Sequence, residues 1–371
     1  MSPNSILTAT MPVTGSPTMT EHDDRWEGTP LGDLLGPICA HRDEEVGTER
    51  VDDAEPFREV NSESKGEPPT PFLSVLMRTQ GRRLATIHES LLAMAAQTSQ
   101  NFEVLLLAHG VPRQGFDDLH ELVDSFGLEF SGRVRIIAVE GGGRSRPLNV
   151  GIDEARGEYI AILDDDDVVF GHWVATFEHH AIDAHGGVIR CVPAEQSVRP
   201  TTWPGGEAGY EITSRPRCPW PVRFDLLDHL YENRTPPCSF ALARRSFNDL
   251  GIRFDESLPV LEDWDVLLRV AMLEGVLDTG EVTALWRKWD TGDSSTFVHS
   301  SKEWRQARKA VISKLDSRPL LLPAHSLVRL QALVASQDRF QRRKKLVIRR
   351  LSTPMRVARR LRRRFLSRVD S

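Results

Sequence analysis

Four consecutive carboxylates, Asp164 to Asp167, directly follow the apolar run Tyr159-Ile-Ala-Ile-Leu163, and this junction limits the fold more than any other stretch. The run is too short for an ordinary helix. Its flanks, Gly157 before and the acids after, suit a buried strand of an α/β sheet. Acids gathered at the C-terminal end of a strand fall where open parallel sheets place their ligands. Four like charges repel one another unless something cationic sits among them. A hard divalent ion, Mg²⁺ or Mn²⁺, would do so, held by one or two carboxylates and sharing its other positions with substrate phosphate. An acidic turn capping the next helix is the competing reading; the position at the end of an apolar strand favours the first.

The surrounding pattern agrees with a sheet. Phe72–Met77, Phe102–Leu107 and Val134–Val139 read as strands. Leu84, Ile87, Leu91 and Ala95 recur at helical spacing between the first two, Phe116, Leu119, Val123 and Phe126 between the next two, and Leu148, Ile152 and Ala155 before the acidic strand. Alternation at this spacing predicts an α/β fold, a mainly parallel sheet with helices on both faces. Beyond the acids, Trp173, Val174 and Phe177 open a helix, and Val188–Val192 and Cys238–Ala243 read as strands. Residues 194–237 read as irregular, with Trp203-Pro204 and Pro219-Trp220-Pro221, and are assigned to acceptor recognition.

The ends differ in kind. Residues 1–70 carry fifteen Asp/Glu against five Lys/Arg with little periodicity, and read as a disordered acidic segment. The ordered domain spans 71–300. A helical extension fills 301–371, and the formal net charge of −6 conceals its tail: Asp338–Ser371 holds fourteen Lys/Arg and two Asp. Residues 339–369 interleave that charge with Val347, Leu351, Leu361 and Phe365, divided at Pro354. A cationic amphipathic segment suits an anionic membrane surface, with nucleic acid not expected and docking on the acidic N-terminus a rival. No apolar run approaches the ~20 residues of a membrane span. The four cysteines have no metal-ligand or paired spacing. A cytoplasmic protein, peripheral at the inner face of the plasma membrane, is the expectation.

A second acidic feature, Glu262-Asp263, stands at a predicted helix start. A cation at the first cluster would neutralise charge growing on a phosphate leaving group, and a carboxylate at the second could take a proton from an attacking hydroxyl. Helix capping is the alternative role for Asp263. These pieces, in order, are Phe72-Leu-Ser-Val-Leu-Met-Arg-Thr79, Asn149-Val-Gly-Ile152, Gly157-Glu-Tyr-Ile-Ala-Ile-Leu-Asp-Asp-Asp-Asp167, Phe254-Asp-Glu256 and Glu262-Asp-Trp-Asp265 with Arg269. Together they resemble the family 2 glycosyltransferases, inverting enzymes of the GT-A fold, over roughly residues 71–300.

The resemblance implies a nucleotide-diphosphate sugar as donor, and a saccharide or lipid-linked hydroxyl as acceptor. Asp164-Asp165-Asp166 matches the family's DxD motif. It makes Asp166 the metal ligand, with Asp164 also at the metal and nearer the nucleotide, and Mn²⁺ or Mg²⁺ the cofactor. Asp263 matches the catalytic base. Thr79, Arg82, Asn149, Asp165, Glu262 and Arg287 fall at donor-binding positions. Departures are Ala108-His109 where members carry an acidic pair, Gln80-Gly81 after Thr79, and Arg287-Lys288-Trp289 where many show Arg-x-His. They keep a non-catalytic GT-A-like scaffold, using the tail on membrane or nucleic acid, as the alternative. A metal-dependent nucleotidyltransferase stands third. The lone His299, the Gly141–Gly143 run and His179-His180 form no recognised ligand motif.

Overall fold

A computed structural model describes residues 70–202, 208–290, 295–317, 319, 320, 322 and 326–336. The acidic N-terminal segment (save residue 70), Trp203-Pro204 and the basic tail lie outside these described residues. The strands, in chain order, are β1 (Leu73–Thr79), β2 (Phe102–His109), β3 (Val134–Val139), β4 (Tyr159–Ile162), β5 (Val168–Val169), β6 (Val188–Thr202), β7 (Ala208–Ile212), β8 (Phe240–Ala243) and β9 (Val276–Trp289). The helices are α1 (Leu84–Ala95), α2 (Arg113–Asp124), α3 (Leu128–Ser131), α4 (Ser145–Glu154), α5 (Trp173–Ala184), α6 (Leu226–Tyr231), α7 (Arg244–Asn248), α8 (Glu262–Glu274), α9 (Ser295–Val298) and α10 (Ser301–Asp316).

One sheet runs β3-β2-β1-β4-β8-β6-β9-β5, with β7 paired to β6. The expected parallel order holds for β3, β2, β1 and β4. From β8 onward the sheet is mixed: β4–β8, β8–β6 and β9–β5 are antiparallel, and β6–β9 parallel. β1 and β2 are nearly continuous apolar runs buried on both faces, as central parallel strands must be. Helices α1 and α5 cover one face, with Ile87, Leu91, Trp173 and Phe177 in its core; α4 and α8 cover the other, with Leu148, Ile152, Val266 and Val270.

Residues 194–237 are more ordered than their sequence suggests. β6 continues to Thr202 and turns back as β7, and α6 follows. Pro193 and Pro200 disguise the strand, because proline breaks the alternation by which strands are recognised. Pro193 falls where the register of β6 against β9 shifts, the kind of irregularity at which a strand holds a proline.

The acids are placed by a close approach. Gly157 lies against the start of β1, where its N–H donates to Ser74 Oγ at 2.7 Å. A Cβ on Gly157 would sit 2.5 Å from the Ser74 backbone nitrogen and 2.8 Å from the Leu73 carbonyl carbon. β4 then runs beside β1 in register, Tyr159 opposite Leu73 and Ile162 opposite Leu76, so the residues that follow β4 lie beside the last residues of β1. Thr79 and Asp164 thereby emerge together. Helix α10 belongs to the same body: Ala307, Val311 and Leu315 share a core with Trp264 and Leu268 of α8. A further helix over 326–336 sends Arg329 to Asp225 and, at 2.9 Å, to Asp228.

Because the neighbour of Gly157 is backbone rather than a movable side chain, Gly157→Ala should destabilise the fold by about 1–3 kcal/mol, measured as a lower urea midpoint with unchanged slope.

Candidate functional site

At the C-terminal ends of β1 and β4 the sheet opens into a cleft of about 220 Å³ whose walls include Thr79, Arg82, His109, Asp166, Arg287 and Trp289. Five arginines line it: Arg78, Arg82, Arg83, Arg144 and Arg287. The acids that the sequence places here are thus met by guanidinium groups. The central one is Arg78, the penultimate residue of β1. Its Nε donates to Asp164 Oδ1 at 2.8 Å and its Nη1 to Glu262 Oε1 at 2.5 Å. Arg144 Nε adds a second bond to the same Glu262 oxygen at 3.2 Å. Burial works against the Arg78 charge, but Asp164 and Glu262 override it and raise its pKa further above the ordinary value. Burial alone would raise Asp164 and Glu262; Arg78 beside them, helped by Arg144, holds both below the usual carboxylate range.

The other three acids are less fully neutralised. Thr79 Oγ1 donates to Asp165 Oδ2 at 2.5 Å and accepts from the Gly81 N–H at 3.0 Å. Arg83 spans Asp165 at 3.2 Å and Asp166 at 2.9 Å, with its guanidinium 5.0 Å from the Trp289 ring centre. Burial, then the charge of Asp166, pushes Asp165 up to about 7. Burial raises Asp166 too, and raises Asp167 well above its ordinary value. Asp167 Oδ1 accepts from the Arg287 N–H at 2.8 Å, while its Oδ2 is buried with no hydrogen-bond partner. The loop therefore carries fewer than four full charges at neutral pH.

Asp263 stands on the same helix start as Glu262. The residue before them, Leu261, has φ 68°, a left-handed conformation that bulky residues avoid. Its carbonyl accepts the Asp265 N–H at 3.0 Å, which begins α8. Burial, then the neighbouring charge of Glu262, pushes Asp263 up to about 6. Its Oδ2 accepts from Asn233 Nδ2 at 3.0 Å. Asp263 does not line the arginine cleft; the two sites are joined by the Asp164–Arg78–Glu262 bridge.

Thr79, Arg82, Asp164, Asp165, Asp166 and Arg287 all reach the cleft. Glu262 supports it from behind. Asn149 does not line it: its amide bonds the Phe254 N–H and carbonyl at 2.9 and 3.0 Å and Glu256 at 2.9 Å, fixing the turn that leads to α8. Arg287 pairs with Glu89 of α1 at 2.8 Å and donates to the Tyr210 hydroxyl at 2.8 Å, tying β9 and the β6–β7 hairpin to α1. His299 faces Glu303 at 3.6 Å at the head of α10. The sequence reading sought a metal for the acids and missed Arg78, Arg83 and Arg144. An arginine one residue from the end of an otherwise apolar strand was the available signal.

Residues 74–251 match the family model described as Glycosyl transferase family 2. Over this stretch, just under half of the chain, the protein is similar to the family 2 glycosyltransferases. Relatives include Glycosyltransferase GlyG of Streptococcus pneumoniae, 34% identical over 94 residues, which cover 25% of this chain and 30% of GlyG. Another is the uncharacterized glycosyltransferase EpsJ of Bacillus subtilis, 27% identical over 181 residues, covering 48% of this chain and 49% of EpsJ. The chain thus spans at most about half the length of these two curated relatives. A solved structure of Staphylococcus aureus TarS residues 1–349, determined with UDP-GlcNAc, aligns at TM-score 0.49 and 17% identity over 64% of this chain and 65% of that one. The parallel half of the sheet, the acid loop and most of the cleft fall inside the matched residues; Glu262 and Asp263 follow them.

The arginine-lined cleft has the right chemistry for a hard cation, in limited measure. Its donors are carboxylate oxygens, of which Asp166 and Asp164 lie in the wall. Among the described residues no group of three or more His, Cys, Asp or Glu is arranged to hold a metal ion. Two carboxylates suffice only for an ion that keeps waters and takes its remaining ligands from substrate phosphate, which is the habit of Mg²⁺.

Removing the bridge leaves Asp164 without its bonded guanidinium and Glu262 with Arg144 alone. Arg78→Met should cost about 3–5 kcal/mol at pH 7. Asp164 and Glu262 have lowered folded-state pKa values, so the stability they contribute is present above their unfolded values and lost as pH falls through the folded ones. The deficit of the variant should therefore shrink on acidification below about pH 4, read by denaturant titration across pH.

Proposed function

We propose that the protein transfers a sugar from a nucleotide-diphosphate donor to a hydroxyl acceptor with inversion at the anomeric carbon. The observation that carries this reading is the Arg78 bridge, which joins the acid-and-arginine cleft to the helix start bearing Asp263. The cleft arginines match a diphosphate in charge and in their forked donors. Arg82 is exposed at the mouth, placed to meet the leaving group. Asp166, with Asp164, would hold Mn²⁺ or Mg²⁺, which when bound supplies charge neutralisation at the departing diphosphate. Asp263 accepts the proton of the acceptor hydroxyl as its oxygen bonds to the anomeric carbon. The bond from that carbon to the donor phosphate breaks, and the electron pair leaves with the nucleoside diphosphate. Attack opposite to departure inverts the carbon.

The acceptor is read as a surface polysaccharide or glycolipid, with the tail at 339–369 holding the enzyme against an anionic membrane. No helix of the described residues is long and apolar enough to cross a membrane.

Nucleotide sugars screened with Mn²⁺ or Mg²⁺ should include one that raises the melting temperature, since a ligand at 100 times its Kd stabilises by about 2.7 kcal/mol. With that donor, Asp263→Asn should lower transfer by about 10²–10⁴-fold while keeping the donor-induced shift. The base must be ionised, so the rate should climb with pH through a midpoint at about 6. Donor binding without turnover in the unaltered protein would instead identify a scaffold, and release of pyrophosphate a nucleotidyltransferase. A chain ending at Gln337 should lose binding to anionic vesicles and retain donor stabilisation.

A further inference from the structure

The loop after α6 carries a small polar network that lies outside the arginine cleft. Asn233 spends both ends of its amide: Oδ1 accepts the Thr235 N–H at 3.1 Å, and Nδ2 donates to Asp263 Oδ2 at 3.0 Å. Thr235 is itself fixed. Its buried hydroxyl accepts from Arg190 Nε at 3.0 Å and meets His229 Nε2 at 2.8 Å. Arg190 is fully buried and anchored by Asp278 at 2.6 Å and by the carbonyls of Pro221 and Val222 at 2.5 and 3.1 Å. His229 is locked in turn, with Nδ1 against the Asp225 carbonyl at 2.9 Å and its own carbonyl accepting from Trp264 Nε1 at 2.8 Å. The chain of bonds runs from the sheet core, through the loop, to one oxygen of one carboxylate.

We infer that Asn233 is a positioning residue for Asp263: it turns the carboxylate to a single orientation and favours its ionised form, leaving the other oxygen for the acceptor hydroxyl. Donation to a carboxylate stabilises the charged state, and a donor already locked by its own partner does so without reordering. The inference rests on the assignment of Asp263 as the base.

The charges around Asp263 come from every packed element. Glu262, on the same helix, opposes its ionisation, and Arg78 of β1 favours it. Arg144 is occupied by Glu262. From α6, His229 is pushed by burial down to about 4 and stays neutral above that. Arg234 pairs with Glu232 at 3.6 Å, and from α10, Arg308 donates to the Tyr231 carbonyl and Lys314 pairs with Asp265 at 3.0 Å. Among the described residues, Asn233 is the uncharged side chain bonded to the Asp263 carboxylate, which also accepts from the Trp264 N–H.

The test uses the full chain with Asn233→Ala and the nearly isosteric Asn233→Asp. Aspartate labelled with ¹³C at the carboxyl carbon, with Asp263→Asn to assign the signal, reads the ionisation of Asp263 without substrate. The titration midpoint should rise by about one pH unit in Asn233→Ala, a hydrogen bond to a charged group being of that size, and further in Asn233→Asp. In transfer assays the acid limb of kcat should move by the same amount. At pH 6 the rate of Asn233→Ala should drop about five-fold, recovering towards pH 8.5, with donor KM within two-fold. An unmoved titration in both folded variants overturns the inference. So does a loss of rate that is constant across pH, the signature of a merely structural part. If the titration moves and no variant nor the unaltered protein transfers sugar, Asn233 positions Asp263 as inferred and the assignment of Asp263 as base is what fails.

Discussion

A buried guanidinium between two buried carboxylates holds this molecule's working parts together. Arg78 leaves the end of the central strand and bonds Asp164, just beyond the neighbouring strand, and Glu262, on a helix nearly a hundred residues after Asp164. Taking three charges out of water is expensive, and the mutual attraction repays that only where geometry is good and the remaining donors are used. Here Nη1 also reaches the Arg144 carbonyl at 3.3 Å, and Nη2 the second oxygen of Asp164 at 3.4 Å. A pair of apolar side chains could fill the same volume. It could not fix the distance between the acid loop and the start of α8.

Much of this was legible in the sequence. The strand-then-acids junction at 159–167, the alternation before it and the Glu262-Asp263 pair gave the α/β order and both halves of the site. They did so because buried parallel strands read as apolar runs, and because ligand-facing acids cluster at strand ends. The hairpin of β6 and β7 was hidden by Pro193 and Pro200, which mask strand alternation. Asn149 was read as a donor contact on resemblance, whereas its amide is committed to Phe254 and Glu256; side-chain bonding of this kind leaves no periodic trace. Arg78, Arg83 and Arg144 went unremarked for a different reason. Acidic clusters prompt a search for metal ligands, and the residues that neutralise them in the chain itself are scattered from position 78 to position 287.

The cleft and the helix start solve different electrostatic problems. Arginines crowd the first, so that a polyanion entering it meets preorganised donors. The second keeps a carboxylate weakly basic by burying it beside another acid and then steadies it with a neutral amide. The bridge lets one site feel the other, since Glu262 lowers the local potential at Asp263 while sharing its own charge with Arg78.

Leu261 gives this arrangement a cost. A leucine held at φ 68° strains the turn by roughly 1–2 kcal/mol, and glycine would relieve it. That simplest stabilising change would also empty the packing that Leu261 makes with the cluster around Trp264 and loosen the turn that aims two acids. A relaxed backbone and a firm corner thus call for different side chains at position 261.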